Sequence, residues 1–155
     1  MPKSTKPELK KRALMAVGDY GVNLTQFRNA MSEWAGLNVT DMECLRLLFI
    51  KGIATPSELA RHTGLTSGAT TAMLDRLEKA ELIERRPNPN DRRGTLITPA
   101  KSSAEKVASW FESARSAQDE LISSYSENEL EIISDVFERF AKLWDDERSK
   151  IQKEP

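Results

Sequence analysis

Four arginines crowd into "RRPNPNDRRGTLIT", residues 85–98, in a chain whose formal net charge is only −1. The prolines and asparagines between them favour turns, and the runs "LIERR" and "GTLIT" on either side are short and β-prone. The segment reads as a hairpin with a basic tip, suited to gripping an anion. Just upstream, "LTSGATTAMLDRLEKAEL" offers a second chemistry. Thr66, Ser67, Gly68, Ala69 and Thr71 are all small and fall in the first turns of a predicted helix. Their hydroxyls, the free amides and the positive end of the helix dipole suit phosphate, and a thin side-chain layer lets a helix sit deep in a groove. None of the five can make the two-pronged contact that reads a guanine. Arg76, two turns along, is the candidate to reach a base or a phosphate; the alternative is pairing with Asp75 or Asp91.

The elements that must position these residues follow from periodicity and caps. From about Pro7 to Trp34, the residues Ala13, Val17, Tyr20, Leu24, Phe27, Met31 and Trp34 recur at steps of three and four, a helical stripe. Gly18 and Gly21 open the possibility of a kink or break within it. "NVTDMECLRLLFI" predicts a second helix, capped by Thr40 with Glu43 and stopped by Gly52. The third opens at "TPSELARHTG", where Thr55 is the N-cap, Pro56 takes the first helical position and Glu58 completes a capping box, before Gly64 ends the helix. Thr66 or Ser67 caps the fourth. Two helices joined by a tight glycine turn form a helix-turn-helix, the alternative being an ordinary helix pair of a bundle. The hairpin that follows makes the unit a winged helix. Its longer helix can enter a major groove while the basic wing reaches the neighbouring minor groove. Thr98 and Pro99 predict the start of a fifth helix, with Val107, Trp110, Ala114, Ala117 and Leu121 on one stripe. Ser126 and Glu129 cap the last, which carries Leu130, Ile133, Phe137, Phe140 and Trp144.

The expected fold is therefore mainly α with a small β-hairpin wing. A winged helix-turn-helix DNA-binding domain spans 37–99, an N-terminal dimerisation helix lies in 1–36, and C-terminal dimerisation helices fill 100–155, all in one intertwined chain. The apolar stripes outside the winged helix need covering, and a second copy of the chain is the natural cover; folding back on the same domain is the alternative.

Composition narrows the function. The 155 residues include 23 Lys/Arg and 24 Asp/Glu, but the signs are unevenly spread. Residues 1–54 carry +3, residues 55–101 carry +2 and residues 102–155 carry −6, so a mildly basic body that can meet a polyanion precedes an acidic last third. No apolar run approaches the roughly 18 residues of a membrane span, and no apolar segment follows the basic N-terminus as in a secretion signal. A single cysteine, Cys44, agrees with a reducing cytoplasm, the expected location. With one His and one Cys, neither a metal nor another cofactor is expected. No histidine dyad or glycine-rich phosphate loop supports catalysis, so no enzyme activity is expected.

Taken together, "LNVTDMECLRLL" and "TPSELARHTGLTSGATTAMLDRLEKAELIERRPNPNDRRGTLITP" resemble the MarR family of bacterial winged-helix regulators across about residues 37–99. The most specific match is Asp91-Arg92-Arg93 at its fixed distance after "LDRLEKAELIER". The resemblance implies a homodimer that holds two winged helices over a pseudo-palindromic operator in double-stranded DNA. It also implies a repressor released by a small aromatic or phenolic effector, or by cysteine oxidation. Arg93 is then the residue for a narrow, A·T-rich minor groove, Arg92 for a phosphate, and Asp91 for orienting an arginine through a charge-assisted hydrogen bond. Arg85 and Arg86 alternate along a strand, so only one can face DNA, and Arg85 is assigned that role. Thr55 and Ser57 are further phosphate candidates. An effector pocket falls near Tyr20, Trp34, Met42 and Trp110, with plain core packing as the alternative. Redox-sensing relatives carry their cysteine near the start of the first helix; Cys44 lies in the second and reads as an inert buried thiol. His62 reads as a surface or packing residue. One departure stands out: the family usually has glycine after the recognition helix, where this chain has Ala80-Glu81. Glu81 then needs either a left-handed conformation or a different helix exit. The reading from another class is a winged helix that docks on protein through its helices and acidic tail.

Overall fold

The computed structural model of the chain describes residues 4–151, apart from the side chains of Arg92 and Arg93. It orders them as α1 (Lys6–Ala35), α2 (Val39–Lys51), α3 (Pro56–Thr63), α4 (Ser67–Lys79), β1 (Ile83–Asn88), β2 (Asp91–Pro99), α5 (Ala104–Ser123) and α6 (Glu127–Ile151). Two compact units result, Met1–Phe111 and Glu112–Pro155. The mainly helical winged fold expected from sequence is the fold observed.

Caps explain most of the boundaries. Thr55 caps α3: its hydroxyl accepts from the Glu58 amide at 3.2 Å, while Glu58 Oε2 accepts from the Thr55 amide at 2.8 Å. Thr66 caps α4 by accepting from the Ala69 amide at 3.3 Å. Before α6 the Ser126 amide and hydroxyl both donate to Glu129 Oε2, at 2.9 and 2.6 Å. Two boundaries differ from expectation. Asn38, two residues before Thr40, caps α2, its Oδ1 accepting from the Asp41 amide at 3.0 Å. The Thr40 hydroxyl donates to that same oxygen at 2.8 Å, so Glu43 is left for tertiary contacts. Thr98 and Pro99 belong to β2, where they face Glu84 and Ile83, and α5 starts only at Ala104. Extending the hairpin wins because Ile97 is fully buried and its strand gains a second partner besides β1: Ile97 and Ala54 exchange backbone hydrogen bonds of 2.8 and 3.0 Å. Gly18 and Gly21 do not interrupt α1, which runs unbroken for 30 residues.

The exit of α4 settles the Ala80-Glu81 question. Leu82 N–H donates to the Leu77 carbonyl at 3.0 Å and Glu81 N–H to the Glu78 carbonyl at 2.9 Å, the paired bonds of a Schellman turn. Glu81 occupies the left-handed position at φ 57°, which costs a residue with a side chain about 1 kcal/mol. Burial of Leu82, and a 2.8 Å hydrogen bond from the Ser103 hydroxyl to the Glu81 carbonyl, hold the turn in place without glycine.

The core of the first unit is built by Cys44, Leu45 and Leu48 from α2, Leu59 from α3, Met73, Leu74 and Leu77 from α4, and Ile83 and Ile97 from the hairpin. Val107, at the start of α5, closes it. In the second unit no described residue of α6 is buried.

Glu58 makes the α3 cap testable by acid. Lys51 Nζ at 2.6 Å, then the Thr55 amide and hydroxyl, favour the carboxylate and hold its pKa at about 2, below the usual 4.5. A depressed folded pKa means stability that is complete above about pH 4.5 and lost as pH falls towards 2. Glu58→Gln should therefore melt below the wild type at neutral pH. The gap should close on acidification; a pH-independent gap in thermal melts would contradict this assignment.

Candidate nucleic-acid interface

The helix-turn-helix holds α4 by one side. Thr70, Met73, Leu74 and Leu77 are buried, while Thr66, Ser67, Gly68, Ala69 and Thr71 are exposed. A Cβ added at Gly68 would meet nothing within 4 Å, so the first turn has open space before it. The threonines are locally occupied. Thr66 Oγ1 serves as the cap and keeps its own proton to donate; Thr71 Oγ1 donates back to the Ser67 carbonyl at 3.1 Å. Thr55 is half-buried, with its hydroxyl engaged by Glu58 at 3.1 Å, whereas Ser57 next to it is exposed.

In the wing, Asn88 Oδ1 accepts from the Asn90 amide at 3.0 Å and tightens the turn. A Cβ at Gly94 would come within 3.1 Å of the Asn88 side chain and 3.2 Å of Asp91 Oδ2, so glycine is what lets the strands close there. Asp91 opens β2 opposite Asn88. The roles assigned to the Arg92 and Arg93 side chains lie outside what the structure describes.

Two arginines singled out from sequence make unexpected contacts. The Arg85 guanidinium, assigned to DNA, is instead bound to the recognition helix: Nη2 reaches Asp75 Oδ1 at 2.6 Å and Nη1 pairs with Glu78. In this arrangement Arg85 clamps β1 onto α4. Arg86, on the other face of the strand, pairs with Glu84 at 3.0 Å and is exposed. Arg76 pairs with neither Asp75 nor Asp91. Its Nε and Nη2 donate to Asp41 Oδ2 and Oδ1 at 2.9 and 2.5 Å, across 35 residues of sequence. Asp41 is 1% exposed and the Arg76 side chain 48%. Sequence reasoning missed Asp41, and no local signal marks it.

A second charge cluster joins α1, α2 and α3. Glu43 receives Arg28 at 3.2 Å, Arg46 at 3.0 Å and His62 at 3.6 Å. Burial and the Arg46 charge lower the His62 pKa, against the opposing pull of Glu43. Among the effector candidates, the structure brings two together. Trp34 and Trp110 meet edge-to-face at 6.1 Å, and Lys106 Nζ lies 5.6 Å from the centre of the Trp110 ring. Tyr20 is fourteen residues up α1 from Trp34, about 21 Å along the axis. Met42 is buried in the first turn of α2. Of the four candidates, the tryptophans are the two in contact. Among the described residues no three His, Cys, Asp or Glu side chains are grouped as a metal site requires, and no helix is long and apolar enough to cross a membrane.

Comparison with known proteins returns one family. The family model described as "MarR family" matches residues 37–95. The uncharacterized HTH-type transcriptional regulator YcgE of Bacillus subtilis (strain 168) is 31% identical over 150 residues, covering 97% of both chains. Among solved structures, NadR in complex with 4-hydroxyphenylacetate aligns with a TM-score of 0.61 at 21% identity, covering 92% of this chain and 99% of that one. A mutant MarR from E. coli complexed with operator DNA aligns at 0.53 and 22%, covering 83% and 95%.

Cys44 sits within this frame as a packing residue. It is fully buried, and burial, reinforced by the Asp41 charge, pushes its thiol up to about 12. A thiolate is the reactive form, so a disulfide reagent should modify Cys44 only as fast as the protein unfolds. Rapid modification of the native protein would show that this part of α2 opens independently.

Proposed function

The chain belongs to the MarR family of winged-helix DNA-binding transcriptional regulators, and from that premise we propose that it acts as a homodimeric repressor on a pseudo-palindromic operator. The observation that carries the reading is the bare first turn of α4. Gly68 and its small neighbours are exposed beside a hairpin that Arg85 ties to the same helix. A recognition helix and wing mounted as one body can meet adjacent major and minor grooves. Arg93 enters the minor groove, Arg92 holds a phosphate, and Thr66 and Ser57 supply backbone contacts.

A second copy is supported by apolar surface that the chain leaves exposed. In the first unit α1 exposes Leu14, Phe27 and Trp34, and in the second α6 exposes Ile132, Val136, Phe137 and Trp144. Patches of large side chains at helical spacing mark association surfaces. Pairing of two copies through these helices sets the spacing of two α4 helices on one face of a duplex.

Release is assigned to a small phenolic acid seated against Trp34 and Trp110. The exposed Trp34 ring offers a stacking face, and Lys106 beside Trp110 offers a cation for a carboxylate. The complex of NadR with 4-hydroxyphenylacetate supports this ligand class.

Two measurements test the reading. Arg93→Ala should weaken binding of a selected operator by about 1–3 kcal/mol at matched salt, while sedimentation still shows a dimer. Unchanged affinity would remove the wing from the mechanism, and a lone subunit would remove the dimer. Titration with 4-hydroxyphenylacetate should change tryptophan fluorescence saturably and lower operator affinity. A response that survives Trp110→Leu unchanged would place the ligand elsewhere.

A further inference from the structure

The Asp41–Arg76 pair leaves one edge of the guanidinium unused. Asp41 accepts from Nε and Nη2, the side-on edge, at 2.9 and 2.5 Å. An arginine carries five N–H donors in a planar fork, so both protons on Nη1 and the second on Nη2 remain, and one from each nitrogen forms the end-on edge. That edge matches guanine in the major groove, where O6 and N7 are adjacent acceptors. The surroundings favour a base over a phosphate. Arg76 shares its stripe of α4 with Ala69 and Ala72, both exposed, so only methyl groups stand between it and the end of the helix that meets the groove floor. The small residues of the first turn cannot supply a two-pronged contact themselves.

We propose that Asp41 is a positioning residue that fixes Arg76 so that its outer guanidinium edge reads one guanine in each half-site. This rests on the reading of α4 as the recognition helix. The carboxylate can do this because it is itself immobile. It is 1% exposed, sits in the first turn of α2, and its backbone amide is held by Asn38 at 3.0 Å. A pre-oriented guanidinium loses less side-chain freedom on binding than a free one. It also cannot swing to a phosphate without stranding a buried carboxylate. Specificity at one base position is then set by a residue of α2 that need not touch DNA.

The test uses the whole protein and an operator selected from random duplexes, with each guanine replaced in turn by 7-deazaguanine, which lacks the N7 acceptor. For the wild type, one guanine per half-site should lose about tenfold in affinity, the lower part of the range for a two-pronged contact. In Asp41→Asn and in Arg76→Lys that penalty should fall to about twofold or less, with the salt dependence of binding unchanged because no phosphate contact is lost. If no guanine responds in the wild type, or the penalty persists in both variants, the proposal is overturned while the regulator reading stands. An even loss of affinity on all duplexes in Asp41→Asn, or a salt slope reduced by about one in Arg76→Lys, would also overturn it, the first as a purely structural role and the second as a phosphate contact. A wild-type scan with no responding guanine overturns the proposal even if Asp41→Asn fails to fold. Failure of the wild type to select any sequence would sink the DNA-binding reading itself, a distinguishable result.

Discussion

Burial of Thr70, Met73, Leu74 and Leu77 along one side of α4 is the constraint on which the other features depend. Met73, Leu74 and Leu77 meet Leu45 and Leu48 of α2, Leu59 of α3 and the inner residues of the hairpin in one core. Full burial of side chains of this size is worth roughly 1.5–3 kcal/mol each, enough to hold the angle of the helix. The opposite side is free to stay thin, and Gly68, Ala69 and Ala72 keep it so. A helix with large residues all round would be better buried and useless in a groove.

Charge then refines what apolar packing positions. Arg85 reaches back from β1 to Asp75 and Glu78, so hairpin and α4 are tied by ionic contacts as well as by Ile83. Arg76 ties α4 to α2, and Glu43 ties α2 to α1 and α3 through Arg28 and His62. Exposed ion pairs contribute little stability. Their value here is geometric: each joins two elements that a winged helix must move together. Asp41 differs, because it is buried, and a buried carboxylate is tolerated only with its partner in place.

The described helices outside the winged core show the opposite economy. In the first unit, α1 buries only Ser32 along 30 residues while leaving large side chains such as Phe27 and Trp34 exposed. In the second, α6 carries an apolar stripe with no buried residue. Most helical stability in a protein comes from packing an apolar face, and the proposed second copy of the chain accounts for both surfaces at once.

What the sequence determined by itself was everything encoded within a few residues. The Thr55–Glu58 box, the Thr66 cap, the Ser126–Glu129 cap and the turn at Gly64 are bonds between groups three to five positions apart, so the residue types announce them. The Pro/Asn-rich hairpin, the small first turn of α4 and the family resemblance were legible for the same reason. The tertiary structure decided the contacts whose partners are distant or in competition. Asn38 and Thr40 could each cap α2, and Asn38 took the cap with the Thr40 hydroxyl donating to its side chain. Thr98 could cap a helix or extend a strand, and the bridge between Ala54 and Ile97 drew it into the strand. Arg85 turned inward, Met42 went into the core, and Tyr20 was separated from Trp34 by the unbroken rise of α1. Arg76 found Asp41, an acid 35 residues away, because only the packing of α4 on α2 brings those two chain positions together. A charged side chain has many partners within reach of its formal charge, and the choice among them belongs to the fold.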